Sequence, residues 1–244
     1  MKTKSLTFLL ALTFLFLFSG SVYGDNLQDG LDAYNKQDYK EAFSLWKPLA
    51  EQGNVEAQFR LGNIYNSHVL HLNDHDFTEA EKDYNYKEAI KWYQLAAEQG
   101  HAKAQSRLGY IYSLGIGVLK NNKEASMWYR LAAEQGNAGA QFWLGMIYYK
   151  GQGVLQDYKE AVKWWKLAAD QGGANAQYFL GGMYFHGKGV SQDFVLAYMW
   201  INLSGSNKWD ISFDIQDAVI FRKRIETEMT PSQIEKAQEM SRNW

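Results

Sequence analysis

The chain has 244 residues, 46% of them apolar and 16% aromatic, with no Cys, two Pro and a formal net charge of −2. So much apolar and aromatic side chain excludes a disordered polypeptide, and the near-neutral balance lacks the basic footprint of a nucleic-acid binder. Without Cys there are no disulfide staples, thiolate metal sites, thiol catalysis or lipid-modified cysteines.

Residues 1–24 follow the three-part plan of a secretory signal. Lys2 and Lys4 precede a largely apolar run of 13 residues, Leu6 to Phe18, and Val22 and Gly24 suit the small-residue positions of signal peptidase, with Asp25 next. The run is shorter than the roughly 20 residues a membrane-spanning helix requires, so cleavage after Gly24 is expected. No later segment is apolar for long enough to cross a bilayer, and the mature chain is expected to have no stable membrane insertion. Export without a single Cys predicts a periplasmic or secreted bacterial protein stabilised by packing.

The remaining chain repeats itself. YKEA at Tyr86 returns as NKEA at Asn122 and YKEA at Tyr158, in steps of 36 residues; Glu98-Gln99-Gly100, Glu134-Gln135-Gly136 and Asp170-Gln171-Gly172 keep the step, as do Leu108-Gly109, Leu144-Gly145 and Leu180-Gly181. An earlier copy carries Tyr39-Lys40-Glu41-Ala42, Glu51-Gln52-Gly53 and Leu61-Gly62, offset by 47, which places an insertion at about residues 66–80. A period of this size is the signature of a solenoid.

Each copy reads as two helices. Ala89, Trp92, Tyr93 and Ala96 lie at i, i+3, i+4 and i+7, one face of an α-helix, and the columns recur as Ala125, Trp128, Tyr129, Ala132 and as Ala161, Trp164, Trp165, Ala168. Gly100, Gly136 and Gly172 then end the helix. In the second helix, Ala104, Leu108 and Ile111 share a face beside Gly109. An interior Gly costs ~1 kcal/mol relative to Ala, so its recurrence at Gly62, Gly109, Gly145 and Gly181 predicts close approach by a bulky Trp or Tyr of a neighbouring helix. Pro48 is expected to bend the first helix of the first copy.

These columns resemble the Sel-1-like repeat family, which is related to the tetratricopeptide repeats. The resemblance rests on AxxWYxxAAEQG first helices, AxAQxxLGxxY second helices and GxGV connections at Gly115 to Val118, Gly151 to Val154 and Gly187 to Val190. It covers about residues 36 to 205, and it implies an all-α, right-handed α-solenoid of 36-residue helix-turn-helix repeats. The fifth first helix, Phe194 to Leu203, keeps Ala197, Met199 and Trp200 before running into Ser204-Gly205-Ser206, where the array stops. Beyond it, Ile215, Ala218, Val219, Arg222 and Ile225 predict one helix. Thr230-Pro231-Ser232-Gln233 then predicts the capped start of another, carrying Ile234, Ala237 and Met240. The expected organisation is a signal peptide at 1–24, a solenoid of four repeats and a partial fifth at 25–205, and a C-terminal helical cap at 206–244.

Candidate chemistry is sparse. His68, His71 and His75, with Asp74 and Asp76, cluster in the insertion; on a helix the three imidazoles would share a face and could hold a divalent ion, although a solvated loop explains them as well. Ser44-Leu45-Trp46-Lys47 matches an S-x-x-K pattern without its companion motifs. The GxGV turns lack the strand and Lys-Ser/Thr of a phosphate loop and read as tight turns. No cofactor is expected. The recurring aromatics read as core, so function belongs to the columns that vary between copies. Among these are Lys91, Met127, Lys163 and Met199, and Gln94, Arg130, Lys166 and Asn202. An aromatic ridge toward the middle of the array includes Phe142, Trp143, Tyr178 and Phe179. Arg130, Phe142, Trp143, Lys166 and Tyr178 are the partner-binding candidates.

The resemblance implies a non-enzymatic, exported scaffold or adaptor that binds a protein partner along the solenoid groove. The alternative is a binder of glycan or peptidoglycan fragments in the cell envelope, stacking sugars on Trp143 and Tyr178.

Overall fold

A computed structural model describes residues 26–67, 78–206 and 215–244, and every regular element among them is an α-helix. The signal segment and the histidine cluster of the insertion lie outside the described residues. Residues 26–35 form α1. The helices that follow are α2 (Tyr39–Glu51), α3 (Val55–Ser67), α4 (Glu79–Glu98), α5 (Ala102–Leu114), α6 (Asn122–Glu134), α7 (Ala138–Lys150), α8 (Tyr158–Asp170), α9 (Ala174–His186), α10 (Phe194–Ser206), α11 (Ile215–Glu226) and α12 (Pro231–Arg242). Consecutive helix pairs from α2 onward are the repeats of an α-solenoid, and α11 and α12 stand where its cap was expected.

Short polar side chains start several of the helices. Asn121 and Asp157, one repeat apart, each accept two backbone N–H groups from the first turns of α6 and α8. Thr78 and Glu81 form a reciprocal capping box on α4, so Glu81 closes the helix start. Thr230 and Gln233 form the same device on α12, with Pro231 in the first turn. Pro48 lies inside α2, which nevertheless runs on to Glu51. It sits so near the end of the helix that only the carbonyl of Ser44 loses a donor.

The chain divides into two compact units, residues 1–104 and 105–244. In the first, Ala42, Trp46, Leu49, Ala57, Leu61, Ile64 and Trp92 form the core, and the Trp46 indole N–H donates to the Leu27 carbonyl at 3.2 Å. In the second, Tyr129, Leu144 and Trp164 centre one cluster, Trp165, Leu180 and Trp200 another, and Phe185, Ile201 and Ile225 a third that ties α10 to the cap.

The recurring helix glycines have the reason the repeat predicted. A Cβ on Gly62 would lie 2.5 Å from the Tyr93 ring, on Gly109 2.7 Å from the Tyr129 ring, and on Gly145 2.5 Å from the Trp165 indole. No carbon is tolerated so close. Gly181 departs from the pattern only in what approaches it, because the fifth copy has Ile201 where the others have an aromatic, 2.7 Å away. Gly30 of α1 faces Trp46 in the same way, one copy earlier than the repeat was legible. The GxGV connections are structural as well: Gly153, at φ 79°, lies so close to the start of α6 that a Cβ would meet the Asn122 backbone at 2.5 Å.

A second column, glutamine, joins the helices by hydrogen bonds. Within a copy, the buried Gln58, Gln141 and Gln177 donate to the carbonyls of Ala50, Ala133 and Ala169 at 3.1, 3.1 and 3.2 Å. Between copies, Gln99 donates to Gln58 at 2.8 Å, Gln135 to Gln105 at 2.7 Å and Gln171 to Gln141 at 2.8 Å. One amide therefore serves both the helix pair and the next repeat.

Two substitutions test these columns. Gly145→Leu is expected to abolish the cooperative thermal transition of the chain or to drive it into dimers, read by calorimetry and light scattering; an unchanged melting temperature would refute the close-packing argument. Gln141→Leu removes the donor to the Ala133 carbonyl, which keeps the Gly136 N–H at 3.0 Å, and the acceptor of Gln171, whose exposed amide keeps the Gly136 carbonyl at 3.1 Å. The loss is about 1–2 kcal/mol and is expected to lower Tm by roughly 2–8 °C.

Candidate interaction surface

Arg130 and Lys166 occupy the same repeat position on α6 and α8 but find different surroundings. The Arg130 guanidinium hydrogen-bonds the Tyr148 hydroxyl and lies 5.6 Å from the centre of that ring. The Lys166 ammonium pairs with Asp170 one turn on and stands 5.0 Å from the Trp200 ring and 4.7 Å from the Trp244 ring. The two indoles meet edge to face, with centroids 4.7 Å apart. Trp200 is buried, whereas Trp244 is 56% exposed.

The aromatic ridge is mostly core. Phe142 is half-buried; its carbonyl accepts the Trp165 indole N–H at 3.1 Å and its ring lies 5.9 Å from Phe179, which stacks on Trp165 at 5.0 Å. Tyr178 is half-buried between Phe179 and Phe221 of α11, at 6.0 and 5.8 Å. Its hydroxyl pKa is raised, first by burial and then by Asp217, so it is neutral across the physiological range. Trp143 alone of these three candidates is exposed, at 42%, flanked by Tyr129 and Phe142. The candidates thus fall into two groups on different helix columns, and the ring of Tyr178 meets the cap instead of standing free.

One cavity of about 470 Å³ opens in the second unit. Lys166, Met199 and Trp200 come from the repeats, and α12 with its following residues supplies Lys236, Glu239, Met240, Asn243 and Trp244. Lys166 and Met199 belong to the variable columns; the α12 contribution was missed. Its signal was the spacing of Lys236, Met240 and Trp244, four residues apart, which puts them along one side of a helix and its continuation.

The model of the Sel1 repeat matches residues 23–54, 55–101, 102–137, 138–173 and 174–207. The chain belongs to the Sel1 repeat family. Its fold is similar to the crystal structure of a Sel1 repeat protein from Oxalobacter formigenes, 30% identical, with a TM-score of 0.68 over 90% of this chain and 84% of that one. It is also similar to c5321, a protective antigen present in uropathogenic Escherichia coli strains and displaying an SLR fold: 28% identical, TM-score 0.56, 92% of this chain against 54% of that one. No curated protein matches the chain. Sel1 repeat proteins generally act as protein-interaction scaffolds and are typically non-catalytic.

The residues outside the surface have local duties. The Ser44 hydroxyl is held by its own helix, donating to the Glu41 carbonyl at 2.9 Å, and Lys47 lies over the Phe43 ring at 5.6 Å. His101 caps α5 by accepting the Ala104 N–H at 3.1 Å, while its other ring nitrogen meets Glu56 at 3.2 Å. Among the described residues no group of His, Asp and Glu is placed to hold a metal, and no helix is long and apolar enough to cross a membrane.

Arg130 and Trp143 are partly solvated, so Arg130→Ala and Trp143→Ala are each expected to cost no more than about 1 kcal/mol. Their Tm values should stay within roughly 4 °C of the parent in a thermal melt; a larger fall would place these side chains in the core.

Proposed function

We propose that this Sel1 repeat protein is an exported scaffold that binds a protein partner through the non-repeating side chains of its helix columns. The observation that carries the reading is the contrast between columns. Alanine, the aromatic-glycine pairs and glutamine recur because they build the array. Arg130, Lys166 and Trp143 differ from copy to copy and present a guanidinium, an ammonium and an indole at or near the surface. Trp and Arg are the side chains that most often dominate binding energy, because each combines a large contact face with a polar end. The family's general role supports the scaffold reading, and the plan of residues 1–24 supports a periplasmic or secreted location.

The test is a cross-linking capture with the mature chain, residues 25–244, against the envelope fraction of the source cell, with an Arg130→Ala, Trp143→Ala double variant alongside. One or two proteins enriched by the parent and reduced about tenfold or more by the variant are the expected result. Equal capture by both, or enrichment of glycan fragments in place of protein, would overturn the assignment. Export is tested separately by N-terminal sequencing of the processed protein, expected to begin at Asp25.

A further inference from the structure

The cavity beside α12 departs from the chemistry of the rest of the array. Elsewhere in the second unit the repeats close on one another by setting a bulky side chain into a glycine gap, an aromatic ring at Gly109 and Gly145 and Ile201 at Gly181. Here α10 is the last first helix, and α12 and Trp244 lie against it in place of another repeat, leaving about 470 Å³ open. That volume falls within the range of ligand sites, roughly 300–1,000 Å³.

Its walls say what fits. Trp244 and Met240 offer an indole face and a thioether at the opening, with the buried Trp200 and Met199 forming the floor behind them, and both kinds of group favour an aromatic ring. The Lys166 ammonium already stands within 5.0 Å of two ring centres, and a ring entering beside them comes within reach of the same charge. The mouth carries Lys236, Glu239 and Asn243, a balanced set of donors and acceptors that suits the N–H and C=O groups of a peptide better than an ion. We infer that the cavity receives a tryptophan or tyrosine side chain from an extended segment of a protein partner, with Trp244 as its outer wall. This inference rests on the scaffold reading and names the chemistry of the partner.

The experiment titrates the isotope-labelled whole chain with the capped tripeptide acetyl-Ser-Trp-Ser-amide and follows the tryptophan indole N–H resonances by NMR. Saturable shifts at Trp200 and Trp244 are expected, with acetyl-Ser-Ala-Ser-amide producing none. Trp244→Ala, at a position 56% exposed, is expected to weaken binding about tenfold, and Lys166→Met about threefold, with a thermal melt of each variant confirming that it is folded. Absence of saturable shifts, equal shifts with the alanine peptide, unchanged affinity in Trp244→Ala, or binding of free indole without binding of the peptide would each overturn the proposal. Arg130 and Trp143 do not line the cavity. A partner lost with those two but retained by Trp244→Ala would therefore remove this inference and leave the scaffold standing.

Discussion

Trp165 can pack where it does only because residue 145 has no side chain, and the same bargain is struck at Tyr93 with Gly62 and at Tyr129 with Gly109. The energetics favour it. A buried aromatic removes roughly 150–250 Å² from water, worth about 4–6 kcal/mol at about 25 cal/mol per Å², against ~1 kcal/mol for a glycine inside a helix. Tyr93, Tyr129 and Trp165 are all essentially inaccessible to solvent. Within each unit, the distance between one first helix and the preceding second helix is thus set by a ring against bare backbone.

Hydrophobic packing alone would leave neighbouring helices free to slide, and the glutamine column removes that freedom. Gln141 is buried, so its amide must find partners; it donates to Ala133 in its own copy and accepts from Gln171 in the next. A slip of one turn would strand both groups in an apolar setting. The ring-glycine contact supplies most of the energy and the amides supply the register, which is why both recur with the same period of 36 residues.

The period, the helix pairs, the aromatic partners of Gly62, Gly109 and Gly145 and the Thr230 box were legible in the sequence, because each is a local pattern or a pattern repeated at fixed distance; Ile201 at Gly181 was not. The glutamines were visible as columns, yet their pairing depends on which helix ends meet, and that is knowable only once helices are adjacent. The surface was harder to read. Tyr178 resembled an exposed ridge residue until Phe221 of α11 came against it. The cap has no period, so nothing in the repeat announces what it covers. For the same reason the spacing that sets Trp244 on one side with Lys236 and Met240 carried no sign that it meets Trp200, 44 positions away.

Arg130 and Lys166 show how one column acquires two chemistries. Both stand at the same place in the repeat, with a tyrosine at the corresponding position of the following helix, Tyr148 for one and Tyr184 for the other. The planar guanidinium reaches its tyrosine, bonding the hydroxyl and lying near the ring. The ammonium is a compact charge on a flexible stem, and it settles between Asp170 and two indoles, one of which exists only because the array has ended. A solenoid made of equal copies would present equal sites. Divergence in a single column, combined with the arrival of a non-repeating cap, makes the last step of this one chemically distinct from the step before it.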